Sequence, residues 1–180
     1  MKKIIFLLII AGLGLYFWYS PSRTEDKKPV ETGTMAGSSF QPDASSATFI
    51  FEDEPVRLSG GKSEVKDEIG FVTETELLEQ KAFGDLNKDG KSDSVVLLAQ
   101  SAGGSGVFVY VAAYVSGPVS YKGTNAVFLG DRIAPQSLSV SNGVATVKYL
   151  DRNSDEPFSA EPTVSTSKQF VFQNGEFQEK

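Results

Sequence analysis

The sequence predicts an all-β fold, an antiparallel sandwich or partly open barrel, preceded by an N-terminal transmembrane helix and a flexible linker. Three observations carry that expectation. Beyond residue 46 the apolar residues fall in short runs of strand length. Pro and Gly interrupt the chain too often for long helices. Asn-Gly pairs, Asn142-Gly143 and Asn174-Gly175, stand between apolar runs, and a tight primed hairpin turn needs the positive φ that these residues accept.

Residues 1–19 read as a signal anchor. Met1-Lys2-Lys3 gives a positive start, and residues 4–19, IIFLLIIAGLGLYFWY, carry no charge. A helix of that length spans roughly 24 Å, short of a hydrocarbon core of about 30 Å. Lys2 and Lys3 snorkel at one end, and Tyr16, Trp18 and Tyr19 suit the interface at the other. The basic end stays in the cytoplasm, which places the rest on the extracytoplasmic side as a single-pass, membrane-anchored domain. The alternative is a cleaved signal peptide, with Gly12 and Gly14 as a weak processing site.

Residues 20–46 read as a disordered linker. They are rich in Pro, Ser, Thr, Gly and mixed charge, with Val30, Met35 and Phe40 as their large apolar residues. Such a segment buries too little surface to offset its ordering entropy; the alternative is an irregular arm packed on the domain, to which Phe40 points. All 23 acidic residues, and all but two of the 17 basic ones, lie beyond residue 20, so the charge there is −8. That disfavours a nucleic-acid partner and suits a cation site. The absence of cysteine and histidine from the 180 residues removes disulfides, thiol chemistry and the commonest general base.

Residues 47–180 form the expected all-β extracytoplasmic domain. Thr48–Phe51 and Val56–Leu58 pair as a short hairpin. Ile69–Lys81 is ambiguous, its Thr-Glu alternation reading as an exposed strand and Glu76–Lys81 as a helical turn. Ser94–Gln100 is an almost continuous apolar run, hence a strand buried on both faces. Ser101–Gly106 is a turn, and Val107–Val115 a second buried strand. Asn125–Leu129, Ser137–Val140 and Val144–Leu150 follow, and Phe170–Phe172 and Phe177 close a terminal hairpin.

The chemistry-bearing stretch is GDLNKDGKSDSVVLL, residues 84–98. Asp85, Asn87, Asp89 and Asp93 place four oxygen-bearing side chains within nine residues, and like charges so close together call for a cation between them. Counting Asp85 as position 1, Asn87 is 3, Asp89 is 5, Gly90 is 6, Lys91 is 7 and Asp93 is 9. Hard cations take six to eight oxygens for Ca²⁺, so alternate side chains at 1, 3 and 5, the main-chain carbonyl of Lys91 and the Asp93 carboxylate form a candidate set. Gly90 permits the sharp turn. An EF-hand requires Glu at position 12; here that position is Val96, inside an apolar strand. The competing reading is a simple Asp-Gly hairpin turn. Lys88 and Lys91 lower the local charge, which implies a dissociation constant of about 10⁻⁴ to 10⁻³ M, as in extracellular modules.

Phe83 to Asp93 resembles the calcium loop of FG-GAP repeats, which likewise opens a β-strand. The resemblance implies the ligand set and not a propeller, which needs several blades. Ala47-Thr48-Phe49, Gly103-Gly104-Ser105-Gly106, Leu129-Gly130-Asp131-Arg132-Ile133 and Asp151-Arg152, together with the loop, are similar to a group of uncharacterised bacterial exported domains. That likeness implies a compact extracytoplasmic domain and names no activity.

The remaining motifs have plainer readings. Gly103-Gly104-Ser105-Gly106 precedes a strand rather than a helix, so it reads as a hairpin loop and not a phosphate cradle. Asp131-Arg132 and Asp151-Arg152 read as salt bridges or turn caps. Ser92 and Ser94 lack a neighbouring base, and Glu74, Glu76 and Glu79 read as a solvated face. Two functional classes follow. One is a non-enzymatic calcium-binding module, tethered to the membrane and engaging an envelope protein or polysaccharide. The other is an envelope hydrolase, or an inhibitor of one, using acidic residues.

Overall fold

The computed structural model describes residues 40–180. The expected membrane helix, and residues 20–39 of the expected linker, lie outside the described residues. Among the described residues there are twelve strands and no helix. They are β1 (Thr48–Phe51), β2 (Glu54–Arg57), β3 (Lys62–Lys66), β4 (Val72–Gly84), β5 (Asp93–Ser101), β6 (Phe108–Val115), β7 (Lys122–Gly123), β8 (Val127–Asp131), β9 (Ala134–Ser141), β10 (Val144–Asp151), β11 (Val164–Gln173) and β12 (Glu176–Glu179). All paired strands run antiparallel.

The strands form three sheets. A curled central sheet has the order β3-β4-β5-β6-β7, with β8 also paired to β6. A second sheet has the order β12-β11-β10-β9, and β1-β2 is a separate hairpin. Side chains alternate between faces along a strand, and β5 shows the consequence. Val95 and Leu97 enter one core with Val111, Val147, Tyr149, Phe170 and Phe177, between the central and second sheets. Val96 and Leu98 enter the other with Phe49, Phe51, Leu58 and Ala112, under the β1-β2 hairpin. The continuous apolar run of β5 is thus a strand covered on both sides.

The turn chemistry follows the sequence. Asn142-Gly143 and Asn174-Gly175 all have positive φ, as primed turns require. The β1-β2 turn is built the same way from Glu52 and Asp53, at φ 47° and 75°.

The ambiguous segment is one long strand. Glu76–Lys81 lies within β4 and is not a helical turn. Leu77 pairs with Leu98 while Lys81 pairs with Val96, so β4 carries two extra residues between them. This bulge breaks the simple alternation. Glu74, Glu76 and Glu79 are exposed on it.

Packing begins before Ala47. Ala44 is buried, the Gly61 N–H donates to the Ser45 carbonyl at 2.8 Å, and Asp43 accepts the Ser45 N–H and hydroxyl, each at 2.9 Å. The Phe40 ring lies 5.9 Å from that of Tyr121. The last residues of the expected linker therefore touch the domain. Phe40 was the residue that pointed to such an arm; Ala44, a small residue flanked by polar ones, left no apolar run.

Candidate metal-binding loop

Strand β4 ends at Gly84 and β5 begins at Asp93, its pairing partner. The eight residues between them leave and re-enter adjacent central strands, so the loop's two ends are fixed by the sheet. Lys88 and Gly90 have positive φ, 63° and 81°, which bends the chain twice within a few residues.

The loop closes on Asp85. Its Oδ1 accepts the Asp89 N–H at 3.2 Å and its Oδ2 the Gly90 N–H at 2.9 Å. The Asp89 N–H is shared with Asn87 Oδ1 at 3.1 Å, so oxygens from positions 1 and 3 meet at one donor. Asp89 Oδ1 in turn accepts the Lys91 N–H at 2.9 Å. Local side-chain oxygens thus replace the sheet ladder as acceptors for this segment's amides.

Ser116, at the end of β6, ties the loop to the sheet. Its hydroxyl lies 2.7 Å from Asp89 Oδ2 and 2.9 Å from Asp93 Oδ1. Its N–H donates to Asp93 Oδ1 at 2.8 Å, and its carbonyl accepts Asn87 Nδ2 at 2.8 Å. Asp93 is fully buried, and its Oδ2 accepts the Leu86 N–H at 2.8 Å. The Tyr121 hydroxyl donates to the Ser92 carbonyl at 2.9 Å. On the other side the β9-β10 turn backs the loop, with Gly84, Asp85, Lys88, Val140, Asn142 and Gly143 lining an open cleft of about 480 Å³.

Electrostatics follow from these contacts. The Ser116 hydroxyl and then the Lys91 N–H hold the Asp89 carboxyl below its ordinary value, against the opposing effect of burial. Lys91 Nζ adds a loose ion pair, 3.8 Å from Asp89 Oδ2. Burial, and then the charges of Asp93 and Asp89, push the Tyr121 hydroxyl up.

Oxygens of Asp85 and Asn87 meet at the Asp89 N–H, while the Asp89 carboxylate faces the Lys91 N–H and the Ser116 hydroxyl. Asp93 is turned toward β6 with each of its oxygens hydrogen-bonded, and Lys91 is exposed with its N–H directed at Asp89. Among the described residues no three carboxylates are gathered into a set that holds a metal as they stand. Ser116 escaped the sequence reading because it lies 23 to 29 residues from its partners in an ordinary Ser-Gly-Pro turn.

The Asp-Arg motifs make local contacts. Arg132 clasps Asp131 through two hydrogen bonds, 2.7 and 3.1 Å, and its guanidinium sits 4.7 Å over the Phe158 ring. Arg152 donates to the carbonyls of Asp131, Arg132 and Ala160. The Arg132 contact holds the Asp131 carboxyl low. Ser94 is buried with its hydroxyl unpartnered by any described group.

Fold and loop together define an antiparallel all-β domain with an Asp- and Asn-rich loop joining its two central strands. No family model, no curated protein and no solved structure matches this chain.

Proposed function

We propose that the chain is a membrane-tethered, extracytoplasmic calcium-binding module that works in the cell envelope by interaction rather than catalysis. The observation that carries the calcium reading is the closure of the loop on Asp85, which brings the oxygens of Asp85 and Asn87 to the shared Asp89 N–H. Asp85, Asn87 and Asp89 supply side-chain oxygens, Lys91 its main-chain carbonyl, and Asp93 the closing carboxylate. A carboxylate oxygen has two acceptor sites. Asp93 Oδ2 takes one donor and keeps a lone pair for a cation. Oxygen-only ligands select a hard cation, and a flexible set of this size favours Ca²⁺ over the stricter octahedral Mg²⁺.

The tether rests on the uncharged run of residues 4–19 behind Lys2 and Lys3. Calorimetric titration of the full chain with calcium chloride tests the loop. Binding near 10⁻⁴ to 10⁻³ M in the wild type and none in Asp85→Ala is the expected result. Silence in the wild type ends the calcium reading. Retention in the membrane pellet after carbonate extraction tests the tether separately.

A further inference from the structure

We propose that the pocket between the β1-β2 hairpin and strand β7 binds an anionic saccharide. The hairpin docks on this edge through main-chain hydrogen bonds. The Ile50 N–H donates to the Thr124 carbonyl at 3.1 Å, and the Ala126 N–H to the Ile50 carbonyl at 2.8 Å. Gly123 is needed there, because a Cβ would collide with the Thr48 carbonyl. The junction leaves an open pocket of about 410 Å³, a size ordinary for small-molecule sites.

Its lining has two chemical parts. Tyr114 and Tyr121, with ring centroids 5.3 Å apart and planes tilted by 32°, make an aromatic wall. Arg57 and Lys122 line the same pocket, and no carboxylate does. Among the described residues neither cation has an ion-pair partner. Both cations are exposed, so their charges are open to a ligand in the pocket.

The combination selects the ligand. Aromatic faces attract the apolar C–H face of a ring, and a guanidinium and an ammonium match a carboxylate, sulfate or phosphate substituent. A sugar ring bearing an acidic group offers both. A neutral sugar leaves the cations unmatched, and a bare anion leaves the aromatic wall unused. The site supplies a partner class for the interaction module proposed above, but it uses none of the loop's oxygens and stands without calcium.

The test is therefore run in chelator, on the full-length chain in a nonionic detergent. The probes are tetragalacturonate, maltotetraose and inorganic phosphate. Tetragalacturonate is expected to bind at least tenfold tighter than either of the others. Arg57→Gln and Lys122→Gln, both exposed positions, are each expected to weaken it at least fivefold, with Lys148→Gln on β10 as the unaffected control. Equal affinity for the neutral oligosaccharide, or for phosphate alone, overturns the proposal. So does full binding by both pocket variants, or no binding at all.

Discussion

Ser116 faces Asp93 Oδ1 with two donor groups, its N–H at 2.8 Å and its hydroxyl at 2.9 Å. The same hydroxyl lies 2.7 Å from Asp89 Oδ2. A serine hydroxyl has a single proton to donate, so it serves only one of the two carboxylates at any instant. Two carboxylate oxygens therefore share one hydroxyl hydrogen, beside a strand buried on both faces. On the calcium reading proposed above, a cation bound here would relieve the crowding that the single proton cannot.

Calcium is accordingly expected to stabilise the folded chain by RT ln(1 + [Ca²⁺]/Kd). At ten times the dissociation constant that is about 1.4 kcal/mol, or a few degrees in Tm. Asp89→Ala should abolish most of the response. Glu76→Ala, which removes only an exposed pair with Lys62, should retain it. Thermal melts in chelator and in millimolar calcium measure this, and identical wild-type melts would reduce the loop to a turn.

Ser116→Ala isolates the hydroxyl while the Ser116 main chain keeps its bonds to Asp93 and Asn87. Loss of a hydrogen bond to a charged, buried group costs about 1–3 kcal/mol. The Asp89 carboxyl should then titrate closer to its ordinary value, since the hydroxyl is the largest cause of its depression. Urea unfolding gives the first quantity and NMR titration of Asp89 the second. An unchanged Asp89 titration would show that the hydroxyl serves Asp93 alone.

Acid should destabilise the domain in a defined window. Asp43, Asp89 and Asp131 all have folded pKa values lowered from 3.8. A depressed folded pKa gives stability that is complete above the unfolded value and lost as pH falls through the folded one. The loss should therefore begin near pH 4 and deepen below it. Chemical denaturation from pH 6 to pH 2 reads the slope, and a rise in stability toward acid would contradict these contacts.

How far the sequence reveals this fold depends on whether the cause is local. The β5 run and the two Asn-Gly turns are legible because burial on both faces and positive φ each leave a mark on single residues. Strand β3, KSEVK, left none. It is a mostly exposed edge strand whose Lys62 and Glu64 pair across to Glu76 and Glu74, so its partners and not its hydrophobicity make it a strand. The Glu76–Lys81 segment misled because its two-residue bulge shifts the alternation on which a strand reading relies. The alternation of Asp85, Asn87 and Asp89 was visible; the inward turn of Asp93 was not, since it depends on Ser116 arriving from β6.

The approach of β9 to the end of β4 yields a prediction of its own. A Cβ on Gly84 would stand 2.6 Å from Val140 Cγ1 and 3.0 Å from its Cβ, closer than carbon atoms pack. Gly84→Ala must therefore push the second sheet away or shift the residue that precedes Asp85. Overpacking of this kind typically costs about 1–3 kcal/mol. Val140→Ala alone removes packing from a partly buried side chain at the edge of the core and should also destabilise. Together the two changes exchange one methyl position for another, so the double variant should lose less than the sum of the single losses. Contacting sites show such coupling at about 0.5–3 kcal/mol, whereas distant ones add. Urea unfolding of the four proteins completes the cycle. Strict additivity would mean that β9 does not press on Gly84, and that the β9-β10 turn does not brace the loop.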